Sequence, residues 1–228
     1  MKSEANDMFF LVLIVVIMVV AAIYSAIAGR KRREELSALA ARLGFSFSAD
    51  KDYPLAERFG FLNQLAEGSN RYAFNVLSGR LQQNEVLIFD YHYETHSTDA
   101  RGNRQTHHHY FSFFIMVLPV SFPELRITHE GLLSKIAQAF GYEDIDFESA
   151  EFSRLFCVRS KDKKFAYDVC NARMIEYLLA NRDMSIEIEQ NALSLVFGKC
   201  LAAAEIESNL QRLEEFRLRL PDYLFTKV

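Results

Sequence analysis

MFFLVLIVVIMVVAAIYSAIA, Met8 to Ala28, runs for 21 residues without a charged side chain. As a helix rising ~1.5 Å per residue it is ~31 Å long, close to the thickness of a bilayer's hydrocarbon core. Its thirteen Phe, Leu, Ile and Val residues each contribute roughly −0.3 to −0.6 kcal/mol near the centre of a span, so insertion is favoured. A soluble helix of this length normally keeps a polar face, and this one has none. The segment reads as a single transmembrane helix, and the rest of the chain as its cargo.

Outward from this segment, charge sets the topology. Arg30, Lys31, Arg32 and Arg33 follow it directly, whereas the leading tail offers Lys2, Glu4 and Asp7. Cations beside a span stay on the cytoplasmic side. The expected organisation is a short extracytoplasmic tail (1–7), the span (8–28), a basic juxtamembrane segment with a connecting helix (29–44), and a cytoplasmic domain (45–228). The chain is expected to cross a membrane once. A cleaved signal peptide is the competing reading, since Ala26-Ile27-Ala28 has the small-x-small form of a cleavage site. Three features oppose it: the leading tail is not basic, the apolar run is too long, and four cations follow it. The same four cations form a membrane-proximal basic patch able to meet anionic headgroups, at about 1 kcal/mol each.

Of the 26 Lys and Arg, five precede residue 34, and of the 30 Asp and Glu, two do, which leaves 21 against 28 and a net charge of −7. An acidic domain of this kind excludes a nucleic-acid partner, and the basic run is accounted for by the membrane. Cys157, Cys170 and Cys200 are odd in number and widely spaced. They form neither a disulfide framework nor a thiolate zinc motif and read as small buried hydrophobes.

The domain reads as α+β, a mostly antiparallel sheet with packed helices. Leu36, Leu39 and Leu43 mark a helix over 34–43 that continues the span, closed by Gly44. Phe45 and Phe47 belong to a short strand, and a turn and helical piece occupy 50–58. Tyr72, Phe74 and Val76 alternate with Ala73 and Asn75, a turn is expected near Ser78-Gly79-Arg80, and Leu87, Phe89, Tyr91 and Tyr93 share a face of the next strand. A loop containing Gly102 leads to a strand from His107 to Leu118, apolar on both faces over 111–118 and hence central. Pro119 and Pro123 interrupt before a short strand at 125–128. A helix over Gly131–Phe140 and a strand over Phe152–Val158 follow. Asp162 is placed to cap a helical region to Ala180 with a break near Asn171. Two strands, 184–189 and 192–197, joined at Gln190-Asn191, precede a final helix from about Leu201 to Leu220 with Ile206, Leu210, Leu213 and Phe216 on one stripe.

Phosphate-binding, dinucleotide-binding, nucleophile-elbow and His-Glu-x-x-His motifs do not occur, which lowers the expectation of an enzyme. One constellation stands out. His92, Glu94 and His96 share a face of one strand, and His107 and His109 share a face of its neighbour. Converging imidazole and carboxylate suit zinc or another divalent cation. The plainer alternative is that these are ordinary exposed residues on a hairpin running into solvent. Glu148, Glu151 and Arg154, like Asp168, Arg173 and Glu176, read as charge pairs between elements.

Glu148-Ser149, Glu151-Phe152, Arg154, Phe156 and Val158, then Asp162, Phe165-Ala166-Tyr167-Asp168, Arg173-Met174, Glu176 and Leu178-Leu179, resemble a group of uncharacterised bacterial single-span membrane proteins with a cytoplasmic domain of unknown function. Leu43-Gly44-Phe45, Phe89-Asp90-Tyr91-His92-Tyr93 and Leu118-Pro119 with Pro123 and Leu125 extend the likeness over most of the domain. The chain departs from the group at Phe45 and Ser153, where Trp and Asn are frequent, and in its polyhistidine strand. The resemblance implies architecture and a bacterial inner-membrane setting, and no catalytic activity. The function expected from all of this is a membrane-anchored binding or scaffolding module with a protein or membrane-proximal ligand. The alternative is a membrane-tethered metal-binding sensor or hydrolase using the hairpin histidines.

Overall fold

The computed structural model describes residues 2–99, 102–129 and 144–226. Helix α1 (Lys2–Leu43) runs without a break from the apolar segment into the domain. Along its outer half the apolar side chains are exposed on every side, Leu11, Ile14, Ile17 and Val20 each by more than half. This is the one helix with the length and composition to cross a membrane among the described residues. Its last turns behave as a soluble helix, burying Leu36, Leu39 and Ala40 against Leu77, Val86 and Ile88 of the sheet. Gly44 ends it with φ +71, and the Phe45 amide donates back to the Ala40 carbonyl at 2.8 Å, the left-handed glycine cap.

Among the described residues six antiparallel strands make one sheet: β1 (Ser46–Ser48), β2 (Ser69–Leu81), β3 (Asn84–Thr98), β4 (Arg104–His129), β5 (Phe156–Ser160) and β6 (Ser185–Val196). The α+β class expected from the sequence is the one observed. Central β4 holds β3 along the first half of one edge, β5 takes over that edge at Leu125–His129, and β6 lines the other edge. Its Phe113, Phe114, Ile115 and Met116 are almost wholly buried because both faces are covered. On one face lie α1, α5 (Lys163–Val169), α6 (Ala172–Ala180) and α7 (Ala203–Arg219) around the larger core. On the other, α2 (Tyr53–Arg58) and α3 (Asn63–Ala66) bring Leu55, Phe59, Leu62 and Leu65 onto Phe89, Tyr91 and Phe113.

Capping chemistry explains several helix boundaries. Asp52 accepts from the Leu55 amide, Asp162 from Phe165, and Asn171 from Arg173 and Met174, so the break between α5 and α6 falls at Asn171 as expected. The stripe Ile206, Leu210, Leu213 and Phe216 of α7 is buried in the larger core.

Four expectations are corrected. The first turn of the hairpin is at Gln82-Gln83, with Leu81 paired to Asn84, and Gly79 lies within β2. A Cβ there would stand 2.2 Å from the Phe45 ring, so the glycine is present for close packing. Second, Pro119 and Pro123 do not divide β4. They fall where its pairing with β6 shifts register, between Val117 and Leu125, and the missing N–H groups are tolerated at that bend. Third, 185–196 is one strand, bent at the same level, where Gln190 has φ 50. Fourth, Ala150–Leu155 is a helix, α4, because the Ser149 hydroxyl accepts from the Phe152 amide and starts a turn; strand β5 begins only at Phe156. The helix expected over Gly131–Phe140 lies outside the described residues.

Candidate functional site

A polar stripe crosses the sheet where α1 joins it. In β3, Val86 and Ile88 belong to the larger core, and Asp90, His92, Glu94 and His96 continue the same face outward. In β2 a register shift between Phe74 and Leu77, with Asn75 at φ 50, inserts an extra residue beside Asp90. The Asn75 amide donates to Asp90 Oδ2 at 2.9 Å, and Ser112 Oγ of β4 donates to Oδ1 at 2.8 Å.

The main partner of Asp90 is Arg32, one turn past the apolar segment. Its guanidinium donates from Nε and Nη2 to both carboxylate oxygens at 2.8 to 3.0 Å, and Nη1 donates to the Leu201 carbonyl. The Leu201 amide donates to Ser112 Oγ at 2.9 Å and completes the ring. Asp90 is 2% exposed, so its charge is answered by a bidentate cation and two neutral donors. Of the four cations that follow the apolar segment, Arg32 is thus a bolt between helix and sheet. Arg30 and Lys31 pair with Glu34 and Glu35 one turn on along the exposed helix surface, and Arg33 lines a shallow exposed face of α1. The cationic run also carries an internal contact that sequence spacing gave no sign of, because its partner is 58 residues away.

Two residues beyond Asp90, the histidines assemble. The β3–β4 register pairs His92 with Tyr110, Tyr93 with His109, Glu94 with His108, Thr95 with His107 and His96 with Thr106. Directly opposed residues share a face. His108 therefore joins His92 and Glu94, and His107 and His109 point to the opposite face. There His109 stacks on Tyr93 and bonds Thr95 Oγ1 at 2.8 Å, and His107 bonds Ser97 Oγ at 2.8 Å. His96 stays on the His92 face, bonded to Ser69 and Thr106. The expected convergence of five residues is replaced by three: His92, Glu94 and the overlooked His108. The triple His107-His108-His109 held the signal, but which member faces His92 depends on the register.

Within the trio, His92 Nε2 lies 3.0 Å from His108 Nδ1, which lies 3.5 Å from Glu94 Oε1. Asn70, at φ 49 in a second irregularity of β2, holds two of the three: its carbonyl accepts from His92 Nδ1 at 3.0 Å and its Nδ2 donates to Glu94 Oε1 at 2.6 Å. Tyr72 stacks on the His92 ring at 4.5 Å and Tyr110 tilts against it at 4.8 Å. Burial pushes the His92 imidazole below its ordinary value, and the Asn70 amide holds the Glu94 carboxyl down. Around neutral pH the pair is a neutral imidazole beside a carboxylate.

A second trio, Glu124, Glu187 and Glu189, sits on the face opposite the larger core. Arg126 pairs with Glu124 and Glu187, Lys161 approaches Glu124, and the Asn63 amide donates to Glu187 at 2.9 Å. Burial nevertheless raises the Glu187 and Glu189 carboxyls. A 540 Å³ recess lined by Phe147, Tyr167, Cys170, Ile175 and Leu179 and a 490 Å³ recess beside Pro119 and Arg217 share no residue with the histidine cluster.

No protein-family model and no curated protein matches this sequence. Among solved structures, the crystal structure of the mycobacterial trehalose monomycolate transport factor A, TtfA, is similar, with a TM-score of 0.60 at 17% identity over 85% of this chain and 96% of that one. At this identity the likeness is one of fold. It extends over nearly the whole of the neighbour.

Proposed function

We propose that this chain is a membrane-anchored accessory protein whose α+β domain binds a partner at the cytoplasmic surface of a bacterial inner membrane. The observation that carries this reading is the unbroken path of α1 from an exposed apolar half into the core, bolted by Arg32 and Asp90. A flexible tether lets a domain swing, whereas a helix fixed at both ends holds it in one pose against the bilayer. Fixed presentation suits a module that must meet a partner in the same membrane. Arg30, Lys31 and Arg33 keep the domain side of the span cytoplasmic. The fold it shares with a protein named a transport factor supports an accessory role of the same broad kind.

The test is crosslinking of the full-length chain at native level in its own membranes, read by mass spectrometry against a control carrying the span alone. A stoichiometric partner seen with the domain and missing from the control is the expected result; equal recovery in both refutes the reading. Protease added to intact spheroplasts should leave the domain uncut, and digestion there reverses the orientation.

A further inference from the structure

We infer that His92 Nε2, His108 Nδ1 and a Glu94 carboxylate oxygen form a binding site for one divalent transition-metal ion, with zinc the best match. Zinc bound tetrahedrally at ~2.0 to 2.1 Å holds its ligand atoms ~3.3 Å apart. The separations of 3.0 and 3.5 Å straddle that edge length, and all three ligand atoms lie within 4.8 Å of one another. Two imidazoles and one carboxylate, with a fourth position open, are a ligand set typical of zinc.

Proton positions agree with this assignment. The Asn70 carbonyl can only accept, so Nδ1 of His92 carries the proton and Nε2 presents its lone pair to His108. Without metal, His108 Nδ1 supplies the proton that bridges the two rings. A cation takes the place of that proton, and His108 moves its own to Nε2. Its side chain is 52% exposed, so water accepts a hydrogen bond from the new N–H at little cost.

The surroundings also resemble the outer shell of a metal site. Ligating histidines usually donate their second nitrogen to a carbonyl or carboxylate, which fixes tautomer and ring orientation. Asn70 does this for His92 and also steadies Glu94, from a left-handed conformation that a non-glycine residue rarely adopts. Tyr72 and Tyr110 fix the His92 ring from either side. His108 faces solvent and gives an ion its route in. The site requires no partner protein, so it stands or fails separately from the accessory role.

The test uses the full-length protein, purified in detergent without a polyhistidine tag, stripped with a chelator and titrated with Zn²⁺ against a fluorescent competitor. One equivalent should bind. His108→Ala, at an exposed position, should weaken binding about 100-fold, and His92→Ala should do the same. The double variant His107→Ala/His109→Ala should bind within twofold of the unmodified protein. Zinc should raise the melting temperature of the unmodified protein and of that double variant, and leave His108→Ala unmoved. Absence of stoichiometric zinc, binding retained in His108→Ala, or binding lost in the double variant overturns the assignment.

Discussion

Replacing Asp90 by Asn isolates the bolt between α1 and the sheet. The new side chain has the same shape, but one of its two acceptor oxygens becomes an NH₂ group facing N–H or O–H donors. Asp90 receives three bonds from Arg32, one from Asn75 and one from Ser112, and whichever way the amide is turned at least one donor loses its acceptor. Breaking a buried ion pair by removing one partner costs about 3–5 kcal/mol. Here the Arg32 side chain is 23% exposed and recovers part of its hydration, which places the loss near the lower end, about 3 kcal/mol. For a domain of this size, at about 2–4 °C per kcal/mol, the melting temperature should fall by about 6–12 °C.

Arg32→Met removes the other half and leaves Arg30, Lys31 and Arg33 beside the apolar segment. Because the two residues contact directly, the double variant should be less damaged than the sum of the singles by about 1.5–3 kcal/mol. The chain has no Trp, so unfolding is followed by tyrosine near-ultraviolet circular dichroism of the full-length protein in detergent, with urea titration as a second measure. A loss under about 1 kcal/mol for Asp90→Asn, or additivity within about 0.5 kcal/mol, refutes the claim that this pair fixes helix to sheet.

Gly68→Ala should destabilise the histidine end of the sheet, since Gly68 has φ +65 and a Cβ there would stand 2.3 Å from the Glu94 carbonyl oxygen. A loss of about 1–3 kcal/mol in the same unfolding assay is expected, and a neutral result would mean that β2 is free to shift. The thiols should alkylate slowly at pH 8. Burial pushes Cys157 up to about 11 and Cys200 up to about 12, and raises Cys170 as well, so Cys157 should react on the order of 100-fold slower than in unfolded chain. Labelling in the folded state within threefold of the unfolded rate would contradict the burial.

Local chemistry was legible wherever one residue type has one dominant use. Asp162 and Asn171 cap helices whose first amides have no other acceptor, and Gly44 ends α1 because only a residue tolerant of positive φ fits there. Ambiguity arose where two local signals conflict. Pro119 and Pro123 ordinarily end a strand, yet β4 continues through them because β6 bends beside it at Gln190 and keeps both backbones paired on either side. Phe152 to Val158 has the composition of a strand, but the Ser149 cap commits its first residues to a helix.

By itself the sequence determined the long apolar helix, its continuation into a packed helix, the α+β class and the amphipathic stripe of α7. Those follow from hydrophobic length and period, properties carried by consecutive residues. Only the tertiary structure decided which of three adjacent histidines stands beside His92 and Glu94, and that Arg32 meets Asp90. Side chains in paired strands alternate with a period of two, so a shift of one residue in the β3–β4 register would have exchanged His108 for His107 and His109. The Arg32–Asp90 contact joins residues 58 apart, and a bulge in β2 brings Asn75 to the same carboxylate. Such contacts exist only once the strands have closed, since they depend on the pairing of distant segments and leave no pattern within either one.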